Sequence, residues 1–292
     1  VNPPLSTLPA PLEVPERAPD QSLFSYLYKS GRAYLGFYKT GIKNIWTNHK
    51  LTRSVKASLR TKSPSNNSDK DASSTPQKID LPYDGRVTRG EFQLLLRNRH
   101  DITRIPAFLL LFAIFGEWLP LIAIFFTAIV PNTCRIPSQI QKELEKAESR
   151  RHKAALERKT AMAVAAKSGV DTVPEKKRIE EGVEPALNQD PKALGQVPDP
   201  KSKTSLLYFS RHFSLHSPRW EGVSIAPPSF MLRRRLRQHL KYLAEDDALI
   251  RRDGSVRDLT DEEVAVACRQ RGIDVLRRGK GELRKELDTW VK

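Results

Sequence analysis

The sequence predicts an all-α chain: a membrane-inserted, kinked helix, preceded by an amphipathic helix and followed by a small helical domain. Three observations carry that expectation. Ile105 to Val130 form one apolar run. Apolar side chains recur at helical intervals in two other stretches, within 22–46 and 232–243. Ser or Thr with Glu or Gln three residues later, the capping box that opens helices, stands at Thr88, Ser138 and Thr260.

Composition bounds the partners. Among 292 residues, 50 Lys and Arg oppose 34 Asp and Glu, a formal charge of +16. Such a balance points to an anionic partner, either nucleic acid or a lipid surface, and says nothing about fold. Cys134 and Cys268 lie far apart, with no second Cys or His at zinc-like spacing. They read as small buried hydrophobes rather than as a disulfide or a metal site.

Residues 1–21 are Pro-rich with little to pack and read as an extended tail. In 22–60, Leu23, Leu27, Tyr34, Phe37, Tyr38 and Ile45 recur at near-helical intervals, with Lys29, Arg32, Lys39 and Lys43 between them. No acid occurs between Asp20 and Asp69. An acid-free amphipathic helix suits a headgroup layer, and packing on other protein is the competing reading. Gly31, Gly36 and Gly41 weaken that helix. Residues 61–81 are polar and read as a linker; 82–104 hold a helix capped by Thr88 and Glu91 that leads into the apolar run.

The run, 105–130, would measure ~39 Å as one helix against a hydrocarbon core of ~30 Å, so one tilted span fits. Glu117 at its middle costs roughly 2.5–3.5 kcal/mol, which the Phe, Leu and Ile around it outweigh at ~0.3–0.6 kcal/mol each. Pro120 cannot donate its amide, so a kink or break is expected there. A hinge at Gly116 to Pro120 leaves a re-entrant hairpin as the second geometry. Residues 131–167 read as a long charged helix capped at Ser138 by Gln141, and 168–204 as a linker. In 205–292, Leu232, Leu236, Leu240 and Leu243 mark one helical face. Gly272 stands at a helix C-cap, and Leu283, Leu287 and Trp290 mark a last helix.

These residues resemble the leucine-zipper and EF-hand-containing transmembrane (Letm) family of the mitochondrial inner membrane. Its helix start, membrane entry, membrane centre and exit are matched by Thr88 to Glu91, Arg104-Ile105-Pro106-Ala107-Phe108, Glu117-Trp118-Leu119-Pro120 and Pro131-Asn132-Thr133. Its matrix-side ribosome-binding domain is matched by Arg233 to Leu236, Asp246 to Ile250 and Leu259 to Gly272, with Val264 in place of the usual Leu. The resemblance covers about Tyr83 to Thr133 and Leu206 to Lys292.

The resemblance implies a 14-3-3-like ribosome-binding domain in the matrix. It also implies mitochondrial ribosomes (ribosomal RNA or ribosomal proteins) and inner-membrane lipids as partners, and a homo-oligomer or the insertion machinery as further ones. Membrane-segment residues are then Pro106, Glu117, Trp118 and Pro120. Arg233, Arg234, Arg235, Arg237, Lys241, Arg269, Arg271, Arg277 and Arg278 are the expected ribosome contacts, through phosphates or acidic proteins. Around Gly254 only Asp253 fits an EF-hand loop, so calcium binding is not expected. That departure, with the missing long zipper, favours ribosome binding and product insertion over the family's other role, cation/proton exchange, in which Glu117 would titrate.

Other chemistry is weakly signalled. Arg277 to Glu282 lacks P-loop spacing and reads as a turn. His212 and His216 have no acid between them in HExxH fashion. Asp246 and Asp247 read as caps or as partners of a neighbouring Arg rather than as an acid/base pair. No enzyme and no cofactor are expected. A SAP-like helix-extended-helix nucleic-acid module over Leu259 to Val291 is a further alternative.

Overall fold

The computed structural model describes residues 1–17, 19–61, 87–115, 129–167, 203–222 and 227–292, and every regular element among them is helical. Two compact units emerge, one of Pro3–Ile140 and one of Val1–Asn2 with Gln141–Lys292.

The first unit is a helix pair. Helix α1, Leu23–Thr61, is unbroken in spite of its glycines. Gly41 has a positive use: a Cβ there would lie 2.6 Å from Cys134 Sγ and 3.1 Å from the Thr133 carbonyl, so its absence lets the chain come close. One face of α1 buries Phe37, Tyr38 and Ile45 against Phe108, Leu111, Val130, Cys134 and Ile136. Protein packing therefore accounts for that face. Leu23 and Leu27, which share the same periodicity, stay exposed.

Helix α2, Arg89–Phe115, opens on the expected box: Thr88 N donates to Glu91 Oε2 (2.9 Å) and Glu91 N to Thr88 Oγ1 (3.3 Å). It runs through Pro106 straight into the apolar run. The N-terminal stretch is mostly extended, as expected, but it is also docked. A 3-10 turn, Leu5–Thr7, ties both helices: Asn48 Nδ2 donates to the Ser6 carbonyl (2.8 Å) and Arg97 Nη1 to Thr7 Oγ1 (3.1 Å). Polar bonds supply what its apolar content cannot.

These contacts give the pair its direction. Asn48 and Arg97 meet at the turn, whereas Tyr38 meets Phe108 with ring centroids 5.9 Å apart. Numbers fall along α1 as they rise along α2, so the helices run antiparallel.

The two described ends of the apolar run meet. Asp101, buried ahead of the run, accepts from Asn132 N (2.8 Å) and Thr133 Oγ1 (3.1 Å) beyond it. Val130 and Ile129 pack with Phe108 and Leu111. Among the described residues no helix is long and apolar enough to cross a membrane. Glu117, Trp118 and Pro120, and with them the expected kink, lie outside the described residues. So do the linkers, except at their edges.

Helix α3, Pro137–Lys167, has its cap earlier than expected. Ser138 and Gln141 are inside the helix; Gln139 Oε1 accepts from Ile136 N (3.2 Å), and Gln141 bonds Glu145 instead. Pro137, preset for the first helical position, moves the start forward.

The second unit holds most of α3, then α4 (Lys203–His212), α5 (Arg219–Gly222), α6 (Ser229–Asp253), α7 (Asp261–Gln270) and α8 (Lys280–Val291). Leu206, Phe209, Phe213, Leu232, Leu236 and Leu243 form one core, on which Leu240 also packs. Ile250, Leu259, Val264, Cys268, Leu283 and Leu287 help form another, and Trp290 packs on both. Both cysteines are free and buried, and burial pushes their thiols up, Cys134 to about 12 and Cys268 to about 11.

Candidate functional site

Helix α6 builds the basic face. Its leucines occupy one side, so residues three, four and seven apart on the other side share the solvent face. Arg234, Arg237 and Lys241 stand there, all exposed. Lys241 also approaches Glu245 (3.9 Å) one turn on. Arg233 and Arg235 flank this row. Arg233 is half-buried, and Arg235, though exposed, donates to the Leu215 carbonyl (2.8 Å), fastening the chain after α4.

The remaining expected contacts divide. Arg269, Arg277 and Arg278 are exposed at and beyond the end of α7, and Arg278 is paired with Glu286. Arg271 is withdrawn from the set. It is 1% exposed, and its guanidinium is spent on Asp246 (2.8 Å), on Asp247 and on the Ala267 carbonyl (3.0 Å). A phosphate has no access to it. Burial works against its charge, but the two carboxylates outweigh that and hold Arg271 above its usual value. Burial pushes Asp247 upward, though Arg271 and the Trp290 indole (3.3 Å) pull against it. The expectation that Asp246 and Asp247 serve a neighbouring arginine is met by this node.

Several residues position the face, Gly272 as the expected helix C-cap and the others without a mark in the sequence pattern. Gly272, at φ +80°, closes α7 with Gly272 N to the Arg269 carbonyl (3.2 Å) and Ile273 N to the Cys268 carbonyl (3.0 Å). A Cβ there would lie 2.4 Å from His212 Nε2. His239 Nε2 donates to the Gln270 carbonyl (2.9 Å) and Tyr242 Oη to Gln270 Oε1 (2.8 Å), joining α6 to the end of α7. Arg151 on α3 donates to the carbonyls of His212 (2.8 Å) and Arg269 (3.1 Å). Burial pulls His212 and His239 down to about 4, so both are neutral near pH 7. The basic row therefore rides on a helix clamped from several sides.

Arg277 to Glu282 forms the expected turn into α8, with Glu282 Oε2 accepting from Gly279 N (3.2 Å). The C-terminal segment reads helix, extended loop, helix. At Gly254 the loop closes on itself: Asp258 Oδ2 accepts from Ser255 N (2.8 Å) and Ser255 Oγ (2.9 Å).

A family described as LETM1-like, RBD matches residues 87–292, more than half of the chain. The chain belongs to this family. No curated protein and no solved structure matches it.

Proposed function

We propose that this chain is a non-enzymatic membrane anchor of mitochondria that holds ribosomes at the inner membrane through α6 and supports insertion of their products. The observation that carries the reading is the exposed row Arg234, Arg237 and Lys241 on a rigidly clamped helix, in a family whose matched region is an RBD. Three phosphate contacts would cost about 20- to 40-fold in affinity over a fourfold rise in salt. Co-sedimentation with mitochondrial ribosomes tests this, with Arg234→Glu/Arg237→Glu expected to weaken binding. Salt-independent binding, or full binding by the charge-reversed variant, overturns it.

The membrane topology proposed here is the re-entrant one. A single span would carry Asn132 about 30 Å from Asp101. Two hydrogen bonds between the flanks support entry and exit on one face instead. The apolar part of α2, Ile105–Phe115, is ~16 Å long, about half the hydrocarbon core. Exposed Lys56→Cys and Lys285→Cys should then react with an impermeant maleimide from the same, matrix side of the inner membrane. Labelling from opposite sides refutes the topology.

A further inference from the structure

Among the described residues, the outward arc of α1 is exposed. At 100° per residue, Phe24, Tyr28, Arg32, Lys39 and Lys43 fall within a contiguous arc about 100° wide. All five are exposed, Phe24 by 85% and Tyr28 by 71%. Phe37, Tyr38 and Ile45 lie outside that arc and are buried in the core shared with α2. The arc is acid-free, because no Asp or Glu occurs from Gln21 to Ser68.

We propose that this arc is a binding surface for anionic phospholipid, with the rings at the acyl boundary and the cations on headgroup phosphates. Three features select a lipid over RNA, which also takes aromatic and basic side chains. First, aliphatic Leu23 and Leu27, in line with Ile45 rather than within the arc, are exposed on the same opening turns of α1 as Phe24 and Tyr28 and offer nothing to a nucleotide. Second, α1 and α2 are antiparallel, so this end of α1 lies toward the end of α2 that exposes Leu110 (63%) and Ile114 (64%). From the level of the Tyr38–Phe108 contact, Phe24 lies about 21 Å and Ile114 about 9 Å in one direction. Third, rings beside cations with no carboxylate match an anionic interface in both polarity and charge.

The inference rests on the membrane reading above and names the lipid chemistry that reading lacks. Its test uses the full chain reconstituted in phosphatidylcholine vesicles with and without anionic phospholipid. Both native cysteines are buried, so Tyr28→Cys takes an environment-sensitive fluorophore selectively. Quenching by spin-labelled anionic lipid should exceed that by spin-labelled phosphatidylcholine about fivefold, the factor that ~1 kcal/mol from one surface cation gives. High salt, or Lys39→Glu/Lys43→Glu, should bring the two to parity. Equal quenching in the labelled Tyr28→Cys chain without charge reversal overturns the proposal and leaves the membrane reading standing. Quenching by neither lipid, with the chain extracted by alkaline carbonate, overturns both. A fluorophore response to RNA but to no lipid assigns the arc to nucleic acid and sinks the proposal.

Discussion

Arg271→Ala should damage the fold rather than the exposed basic face. The guanidinium sits at 0% side-chain exposure between Asp246, also at 0%, and Asp247, at 8%. Removing it takes the cation from two buried carboxylates and one donor from the Ala267 carbonyl. Breaking a buried pair from one side costs ~3–5 kcal/mol, against a domain stability of ~5–15 kcal/mol. Hydrogen exchange on the full chain, read at the amides of α7 and α8, measures the opening free energy directly. Arg234→Ala, on the solvent face, should stay within ~0.5 kcal/mol of the parent. The triple replacement Arg271→Met/Asp246→Leu/Asp247→Leu should recover most of the loss, because no charge is then left buried. The stranded Asp247 would gain a proton more easily, so the deficit of Arg271→Ala should shrink as pH falls. A loss below ~1 kcal/mol, or one shared by Arg234→Ala, refutes the argument that this arginine is structural.

Acid should loosen the same domain. His212 and His239 have folded values near 4 against 6.5 unfolded, so their contribution is complete above about pH 6.5 and is lost as pH falls toward 4. At pH 5 each costs ~2 kcal/mol, with Arg151 facing His212 and Arg271 facing His239; urea midpoints that do not move between pH 7 and 5 contradict this. Gly272→Ala should cost at least ~1–3 kcal/mol from its left-handed backbone, more with the His212 ring in the way, and a thermal midpoint equal to the parent's is the contrary result. Asp101→Ala strands Asn132 N and should release the return strand of the chain, making Cys134 reactive to maleimide. A Cys134 that stays inert means that the clamp is not what holds the two ends together.

Helix identity was readable wherever a periodic apolar face met a cap. Leu232, Leu236 and Leu243 turn inward as their spacing requires, and Thr88 with Glu91 makes its reciprocal box. What periodicity could not divide was α1, because Leu23 and Ile45 obey the same repeat while only Ile45 has a partner helix beside it. Packing partners are nonlocal and leave no mark on spacing. The basic face was legible as charge but not residue by residue. Arg271 differs from Arg269 in nothing that composition registers. It is inside because Gly272 turns the chain there and Asp246 and Asp247, a helix away, receive it. The adjacent acids were the available signal, since a pair of carboxylates on a leucine-bearing helix needs a cation to be buried at all.

The chain thus separates two uses of the same residue type by what lies opposite them. On α6 Arg234, Arg237 and Lys241 face solvent while leucines hold the helix from behind, so their charge is screened by salt. On α1 the cations sit beside uncovered rings and aliphatic side chains, so solvent alone leaves apolar area exposed. The two faces differ in degree: on α6 the row of cations has Phe230 exposed one turn before it, whereas on α1 the cations lie near several exposed aromatic and aliphatic side chains. If the flanks of the apolar run do meet on one side of the bilayer, both faces work in the same compartment. Anchoring and ribosome capture then require no part of the described chain to cross the membrane.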